Sequence, residues 1–188
     1  MPRFEDVYIN VVQSSSNIDK LVTYFSSVSS LELSLMTDDM IVCCSDIRFS
    51  QLTKCKISPC NSDWMDSLVP FLANTPELKS LTIDYRRTYE PAIASATWTE
   101  RGSYPECLYS SLEKFELIDY KGKEEEKELV EFILLCSKCL KTATIYLGTS
   151  LDPLNKDNIM EELTQLSAWY RCSKTYRLLF ESMQTIGN

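Results

Sequence analysis

The chain contains 188 residues, of which 44% are hydrophobic and 24% are charged, and its formal net charge is −8. This composition predicts one globular domain, and the acidic charge disfavours nucleic acid as a partner because phosphate backbones carry the same sign. The absence of histidine excludes Ser-His-Asp triads, Cys-His dyads and histidine metal ligands, and the four glycines form no phosphate-binding loop. We therefore expect a protein that is not an enzyme, with no cofactor and no metal.

The N-terminal segment and the hydrophobicity of the chain predict its localisation. The segment "MPRFEDVYIN" has no basic stretch followed by an apolar run, so it does not resemble a secretory signal. No apolar stretch approaches the roughly 18 residues of a membrane span. We expect an intracellular protein of the cytoplasm, the nucleus or both, whose eight cysteines are mostly reduced.

The main regularity along the chain is a repeated pattern, apolar-x-x-apolar-x-apolar. An alternating segment over residues 7–11 precedes it, as a strand of an incomplete unit. Full copies of the pattern then begin at Val28, Leu52, Leu78, Leu112 and Leu140. These starts are 24, 26, 34 and 28 residues apart, close to the period of leucine-rich repeats. The copies predict an α/β fold, a leucine-rich-repeat-like right-handed solenoid with a parallel sheet; an ordinary α/β layer is the alternative.

The segments between the copies predict the remaining elements. Residues 17–25 and 64–72 have helical periodicity, and Pro70 should shorten or kink the second helix. Residues 86–105 are the longest non-periodic segment and predict an inserted surface loop. Near the C-terminus, residues 159–166 predict a helix, and "TYRLLFE" after them predicts an alternating strand.

The acidic run "EEEKELVEFILLC" predicts a helix with one apolar face. Glu124, Glu125 and Glu126 fall in its first turn, where the helix dipole favours anions. A pair of catalytic carboxylates is the alternative, but such a pair needs a cleft that separates the two pKa values. We interpret the run as a solvated helix start.

The Cys136-x-x-Cys139 pair raises the alternative of a zinc or redox site. A structural zinc ion needs a second pair of ligands, and neither Cys43 with Cys44 nor Cys55 with Cys60 supplies that spacing. A redox pair of the thioredoxin type sits at a helix start, whereas this pair sits at a predicted helix end. We interpret Cys136 as a core residue.

The alternation within each copy predicts which side chains point away from the core. If Leu81 and Ile83 point inward, their neighbours point outward onto the concave surface of the solenoid. The partner-binding face predicted by this rule consists of Ser30, Glu32, Ser34, Lys54, Lys56, Ser58, Ser80, Thr82, Asp84, Lys114, Glu116, Thr142, Thr144 and Tyr146. A merely solvated sheet face is the alternative. The inserted loop is a rival site, because its Tyr89, Trp98 and Tyr104 are aromatic residues of the kind that anchor partners.

Two stretches carry a resemblance to a known family. "YPECLYSSLEKFELIDYKGKEEEKELVEFILLCSKCLKTATI" (104–145) and "ELTQLSAWYRCSKTYRLLFE" (162–181) resemble the FBD domain of plant F-box/LRR proteins. Upstream, "FSQLTKCKIS" and "WMDSLVPFLANTPELKSLTIDY" resemble the leucine-rich units that precede FBD in that family. The resemblance implies leucine-rich-repeat-like units over residues 1–103, with 86–103 in an inserted loop. It implies an FBD domain over 104–188 that continues and caps the same solenoid.

The resemblance also implies a function. In that family an N-terminal F-box docks on the Skp adaptor of a cullin-based ubiquitin ligase, and the repeats recruit the substrate. The residues before the first repeat-like unit do not resemble an F-box, so direct binding of the Skp adaptor is not expected. We expect the substrate-recruiting part of such a protein, whose partner is a protein substrate, with no nucleic acid and no membrane. The alternatives are a truncated, ligase-independent LRR/FBD binding protein and a cysteine-based metal or redox protein.

Overall fold

The architecture comes from a computed structural model that describes residues 6–11, 27–35, 47–59, 64–87, 104–169 and 177–182. Within these ranges the strands are β1 (Asp6–Val11), β2 (Ser30–Leu35), β3 (Lys54–Pro59), β4 (Ser80–Asp84), β5 (Lys114–Tyr120), β6 (Thr142–Leu147) and β7 (Arg177–Ser182). All of them pair in parallel, and their order in the sheet is their order along the chain. The sheet is open, and the prediction of an α/β fold with a parallel sheet is confirmed.

The helices lie between the strands. They are α1 (Trp64–Ala73), a 3-10 turn (Tyr85–Arg87), α2 (Glu106–Ser110), α3 (Glu124–Cys136) and α4 (Pro153–Trp169). Helix α1 continues three residues beyond Pro70, because Pro70 is exposed while Phe71 and Leu72 are fully buried and hold the last turn against the core. The helix predicted over residues 17–25 and the loop over 88–103 lie outside the described residues. None of the described helices combines the length and apolar character needed to cross a membrane.

The repeated pattern corresponds to a repeated backbone geometry at the start of the strands. The amides of Thr53 and Lys54 both donate to the carbonyl of Ser29, at 2.8 and 3.1 Å, and the amides of Lys79 and Ser80 donate to Thr53 in the same way. Two further units repeat the arrangement, and the residues that stack through it are Ser29, Thr53, Lys79, Glu113 and Lys141. Because equivalent positions of consecutive copies stack directly, the copies are structurally equivalent units of one sheet.

The core lies on one face of this sheet. Alternate strand residues are at most 3% exposed, and they are Leu31, Leu33, Cys55, Ile57, Leu81, Ile83, Phe115, Leu117, Ala143 and Ile145. The apolar stripe that the sequence predicts for α3, including Leu129, Phe132 and Ile133, belongs to the same buried cluster as these strand residues. The opposite face of the sheet is therefore the one available for polar side chains.

Candidate binding surface

The strand register aligns the predicted outward residues across the sheet. A first row contains Ser30, Lys54, Ser80, Lys114 and Thr142, and a second row contains Glu32, Lys56, Thr82, Glu116 and Thr144. A third row has two parts. On β2 and β3, Ser34 pairs with Ser58, and on β4, β5 and β6, Asp84 aligns with Ile118 and Tyr146. We call these aligned rows on β2–β6 the polar face. The structure thus brings the predicted residues together, although the side chain of Ser34 is not among those described.

Ion pairs connect the polar face across β2, β3 and β4. The ammonium group of Lys56 lies 2.7 Å from Glu32 Oε1 and 3.5 Å from Asp84 Oδ2. Arg86, in the 3-10 turn, donates from Nε to Asp84 Oδ1 at 2.8 Å and pairs with the second carboxylate oxygen through Nη2. Burial raises the pKa of Asp84, but the hydrogen bonds and charge of Arg86, together with the charge of Lys56, more than offset it, so the pKa lies below its ordinary value.

A second group of contacts is centred on Glu116 of β5. Its carboxylate accepts hydrogen bonds from Thr82 Oγ1 at 3.1 Å and from Tyr146 Oη at 3.5 Å. Lys114, two residues earlier on the same strand, places Nζ 2.9 Å from Glu116 Oε1. The polar side chains of β4, β5 and β6 are therefore held at defined positions by one another.

Three residues of the predicted face are not exposed, which corrects the alternation rule. Ser58, Asp84 and Thr144 are only 6%, 4% and 4% exposed. The 3-10 turn after β4 lies against β3 and β5, and Arg86 covers Asp84. Thr144 lies in register between Glu116 and Leu179 on the neighbouring strands.

The rival loop is described only at its end. Tyr89 and Trp98 lie outside the described residues. Tyr104 is 47% exposed, and its ring centroid lies 6.3 Å from that of Phe132 on α3. Because the apolar stripe of α3 belongs to the buried core, Tyr104 lies on the side of the sheet opposite the polar face.

The edge where the strands begin carries a row of exposed cations, of which the alternation rule supplies only Lys54 and Lys114. The cations are Lys54, Lys79, Lys114, Lys141 and Arg177, one at the start of each strand from β3 to β7, and we call them the cation row. Lys79 and Lys141 immediately precede their strands, so a rule based on strand alternation omits them. Aligning the repeat copies would have found the lysines, because each of the four copies from residue 52 onward has a lysine as its second or third residue.

The connection from β5 to α3 is held by several polar contacts, and we call residues 118–126 the signature turn. A bulge between Ile118 and Tyr120 leaves Asp119 with a φ of 67°, and Lys121 Nζ lies 2.8 Å from its carboxylate. Gly122 then adopts a φ of 76°, a conformation that glycine adopts without steric cost. The turn is thus shaped by residues of the stretch "LIDYKGKEEE".

Glu126 corrects the interpretation of the acidic run. Glu125 and Glu126 are 8% and 1% exposed, so only Glu124 of the three is solvated. Glu126 Oε2 accepts hydrogen bonds from the amides of Lys121 at 2.7 Å and Lys123 at 3.2 Å, as in a capping box. Burial raises the pKa of Glu126, and the two amides offset only part of this rise. The carboxylate is therefore a structural cap of α3.

The cysteines of the described residues sit in structural positions. Cys136 is buried at the end of α3, and Cys139 is exposed, with Sγ 3.4 Å from the carbonyl of Ser110. Burial raises the pKa of Cys107 to about 11, so this thiol is protonated at neutral pH. Within the described ranges, no three Cys, Asp or Glu side chains converge closely enough to hold a metal ion.

Comparison with known proteins identifies the family. The FBD family model matches residues 100–145, which include the signature turn. The Arabidopsis thaliana FBD-associated F-box protein At1g05080 is 38% identical over 188 residues, covering 96% of this chain and 42% of the relative. The F-box/FBD/LRR-repeat proteins At4g26340 and At1g22000 of the same plant are 30% and 36% identical, covering 96% and 87% of this chain and 42% and 33% of theirs.

These matches cover only part of each relative. The chain spans about two-fifths of the length of the curated relatives that it matches first. No solved structure gives a significant match. The family model and the relatives agree with the resemblance carried by "YPECLYSSLEKFELIDYKGKEEEKELV". The chain belongs to the plant F-box/FBD/LRR family.

Proposed function

We propose that this chain is a protein-recognition module, the substrate-recruiting part of an F-box/FBD/LRR protein of the SCF ubiquitin ligase type. In this proposal the repeated units form a right-handed, leucine-rich-repeat-like solenoid, residues 1–103 supply its first units, and the FBD domain over 104–188 continues and caps it. The polar face receives a protein substrate through hydrogen bonds and charges, without covalent chemistry and without a cofactor.

The observation that carries the proposal is the continuity of the polar face. Cross-strand contacts between Glu32, Lys56 and Asp84, and between Thr82, Glu116 and Tyr146, span β2 to β6. Side chains held by one another before a partner arrives lose little conformational freedom on binding, and such preorganisation favours recognition. A merely solvated face has no need of contacts that extend across five strands.

Affinity capture tests this proposal. We would compare proteins captured from plant cells by the tagged wild-type chain and by a face variant, Thr82→Glu, which adds bulk and charge to the second row and leaves the strand starts unchanged. The matched control, Asn158→Glu, adds the same charge to an exposed position of α4. We expect a set of proteins captured by the wild type and the control but lost with the face variant. Equal capture by the face variant would refute the polar face as the binding surface.

Ligase membership is tested separately. The proposal assigns adaptor docking to an F-box, so the purified Skp adaptor is not expected to bind the chain directly. Captured proteins should instead become ubiquitinated when the chain is fused to an F-box, and this should fail with the face variant. If captured proteins are never ubiquitinated in that fusion, the ligase-independent alternative is preferred.

A further inference from the structure

The cation row is an arrangement of like charges along one edge of the sheet. Lys54, Lys114 and Arg177 are the first residues of β3, β5 and β7, and Lys79 and Lys141 immediately precede β4 and β6. Neighbouring strands of a sheet lie about 4.8 Å apart. The row therefore extends over about 19 Å, four strand spacings. Lys54, Lys79, Lys141 and Arg177 are exposed, and the Lys114 side chain is 48% exposed.

The carboxylates near this row neutralise only part of it. Lys141 Nζ lies 2.7 Å from Glu113, and Lys114 Nζ lies 2.9 Å from Glu116. Lys54, Lys79 and Arg177 have no carboxylate within 4 Å among the residues that the structure describes. The hydrogen bond and charge of Lys141, together with the charge of Lys79, lower the pKa of Glu113, so Lys79 is partly compensated. Lys54 and Arg177 keep their capacity to pair with an anion.

The charge of this edge is opposite to that of the rest of the chain. The formal net charge is −8, and the acidic side chains of the helices are concentrated on α3 and α4. Exposed or half-buried carboxylates there are Glu124, Glu128, Glu131, Asp157, Glu161 and Glu162. Charges more than about 8–10 Å from a ligand are largely screened at physiological salt, so a short anionic ligand at the edge interacts mainly with the row.

We propose that the cation row binds a short, carboxylate-rich segment of the partner protein, lying in an extended conformation across the starts of β3 to β7. This inference rests on the proposed function and specifies the chemistry of its partner. An extended chain advances about 3.3 Å per residue, so about six residues cover the row, and every second side chain faces it. Such a segment carries three acidic side chains at alternate positions, as many as the cations of the row that have no described carboxylate within 4 Å. A long nucleic acid would extend beyond the row towards the acidic helices.

Fluorescence anisotropy of a labelled peptide tests this inference. The probe is a fluorescein-labelled 12-residue peptide of alternating Glu and Ser, titrated with the whole chain at 50 mM and 300 mM NaCl. We expect binding that weakens with salt and that falls about 5–10-fold in Lys54→Gln with Lys79→Gln, since each exposed pair contributes about 0.2–1 kcal/mol. A peptide of alternating Gln and Ser should not bind.

Two control variants separate charge from structure. Lys54→Arg with Lys79→Arg keeps the charges and should keep the affinity within about twofold, and Lys156→Gln, at the opposite end of the strands on α4, should leave it unchanged. Unchanged affinity in Lys54→Gln with Lys79→Gln would overturn the inference. Tighter binding of a labelled 12-nucleotide single-stranded DNA than of the peptide would overturn it too.

The test distinguishes this inference from the function on which it rests. If the peptide does not bind but the face variant still loses captured proteins, the acidic segment is refuted and the recognition function stands. If the peptide binds through the row but the face variant captures the same proteins as the wild type, the polar face is refuted and the row remains an anion-binding edge.

Discussion

The signature turn and the cation row differ in where their charges are neutralised. In the signature turn, Asp119 pairs with Lys121, and Glu126 accepts two amides of the same turn. In the cation row, Lys54 and Lys79 have no carboxylate within 4 Å among the described residues. The segment that identifies the family therefore uses its polar groups for its own geometry, whereas the edge formed by the repeats leaves them open to a partner.

This difference follows from burial. A buried polar group that loses its hydrogen bonds costs about 1–3 kcal/mol, so the groups of the signature turn must find partners inside the chain. Exposed lysines have no such requirement, because water solvates them. Changes in the signature turn should consequently alter stability and leave anion binding intact, and changes in the cation row should do the reverse.

The largest effect is expected at Gly122. A side chain here must adopt a φ of 76°, and its Cβ would lie 3.0 Å from Ile159 Cδ1. We expect Gly122→Val to lower the free energy of unfolding by about 3 kcal/mol, measured by urea denaturation. Gly122→Asn is the matched control, because Asn tolerates this conformation, and it should cost about 1 kcal/mol. Equal stability of the wild type and the Val variant would show that the turn does not constrain the fold.

The next effect is expected at the cap of α3. Glu126→Ala leaves the amides of Lys121 and Lys123 without their acceptor, so we expect a loss of about 2 kcal/mol in the free energy of unfolding. Glu126→Gln keeps an acceptor oxygen and should lose much less. Acidic-peptide affinity of both folded variants should equal that of the wild type, and a weakened affinity would show that the two regions are coupled.

The pH dependence of stability gives a smaller effect whose sign is fixed by the pKa shifts. Burial raises the folded-state pKa of Glu126 above its ordinary 4.5. The contribution of this group to the free energy of unfolding is therefore full below pH 4.5 and is lost as the pH rises through the folded-state pKa. We expect the wild type to lose stability relative to Glu126→Gln as the pH rises above about 4, measured by urea denaturation at each pH. A constant difference would show that the carboxylate is not desolvated.

Asp84 provides a comparison of opposite sign. The hydrogen bonds and charge of Arg86 hold the pKa of Asp84 below the ordinary 3.8 despite burial. The contribution of Asp84 to the free energy of unfolding is therefore full above pH 3.8 and is lost as the pH falls through the lowered pKa. The wild type should therefore lose stability relative to Asp84→Asn only below about pH 4. A loss that begins near neutral pH would contradict the assigned ion pairs.

The smallest effect is expected in the cation row. Lys54→Gln with Lys79→Gln removes two exposed charges that have no carboxylate within 4 Å among the described residues, so the free energy of unfolding should change by less than about 0.5 kcal/mol. The comparison is sharpest here, because the same variant should weaken the acidic peptide most. A loss above about 1 kcal/mol would show that the row stabilises the fold itself.

The sequence predicts the parts of this fold that depend on local periodicity. Alternation within each copy places Leu81 and Ile83 in the core, and equivalent positions of the copies stack through hydrogen bonds such as that from Lys79 to Thr53. The same periodicity also brings the predicted polar residues into register across the sheet. These features need only the period of a strand and the spacing of the copies.

The features that the sequence does not predict depend on contacts between elements. Asp84 is covered by Arg86 because a 3-10 turn folds back over the sheet, and alternation carries no information about such a turn. Glu126 is buried because the turn before α3 curls over it, whereas helix-dipole reasoning places it simply in a charged first turn. Alternation within the strands predicts Lys54 and Lys114 but not the complete cation row, because Lys79 and Lys141 precede their strands.

Amide chemical shifts during titration with the acidic peptide test most directly the claim that recognition lies at the strand starts and not in the signature turn. In a ¹⁵N-labelled sample, we expect the shifts to concentrate at the stacked residues Thr53, Lys79, Glu113 and Lys141 and at Arg177. The amides of Lys121 and Lys123 should not move. Shifts that concentrate in residues 118–126, or that spread over α3 and α4, would contradict the claim.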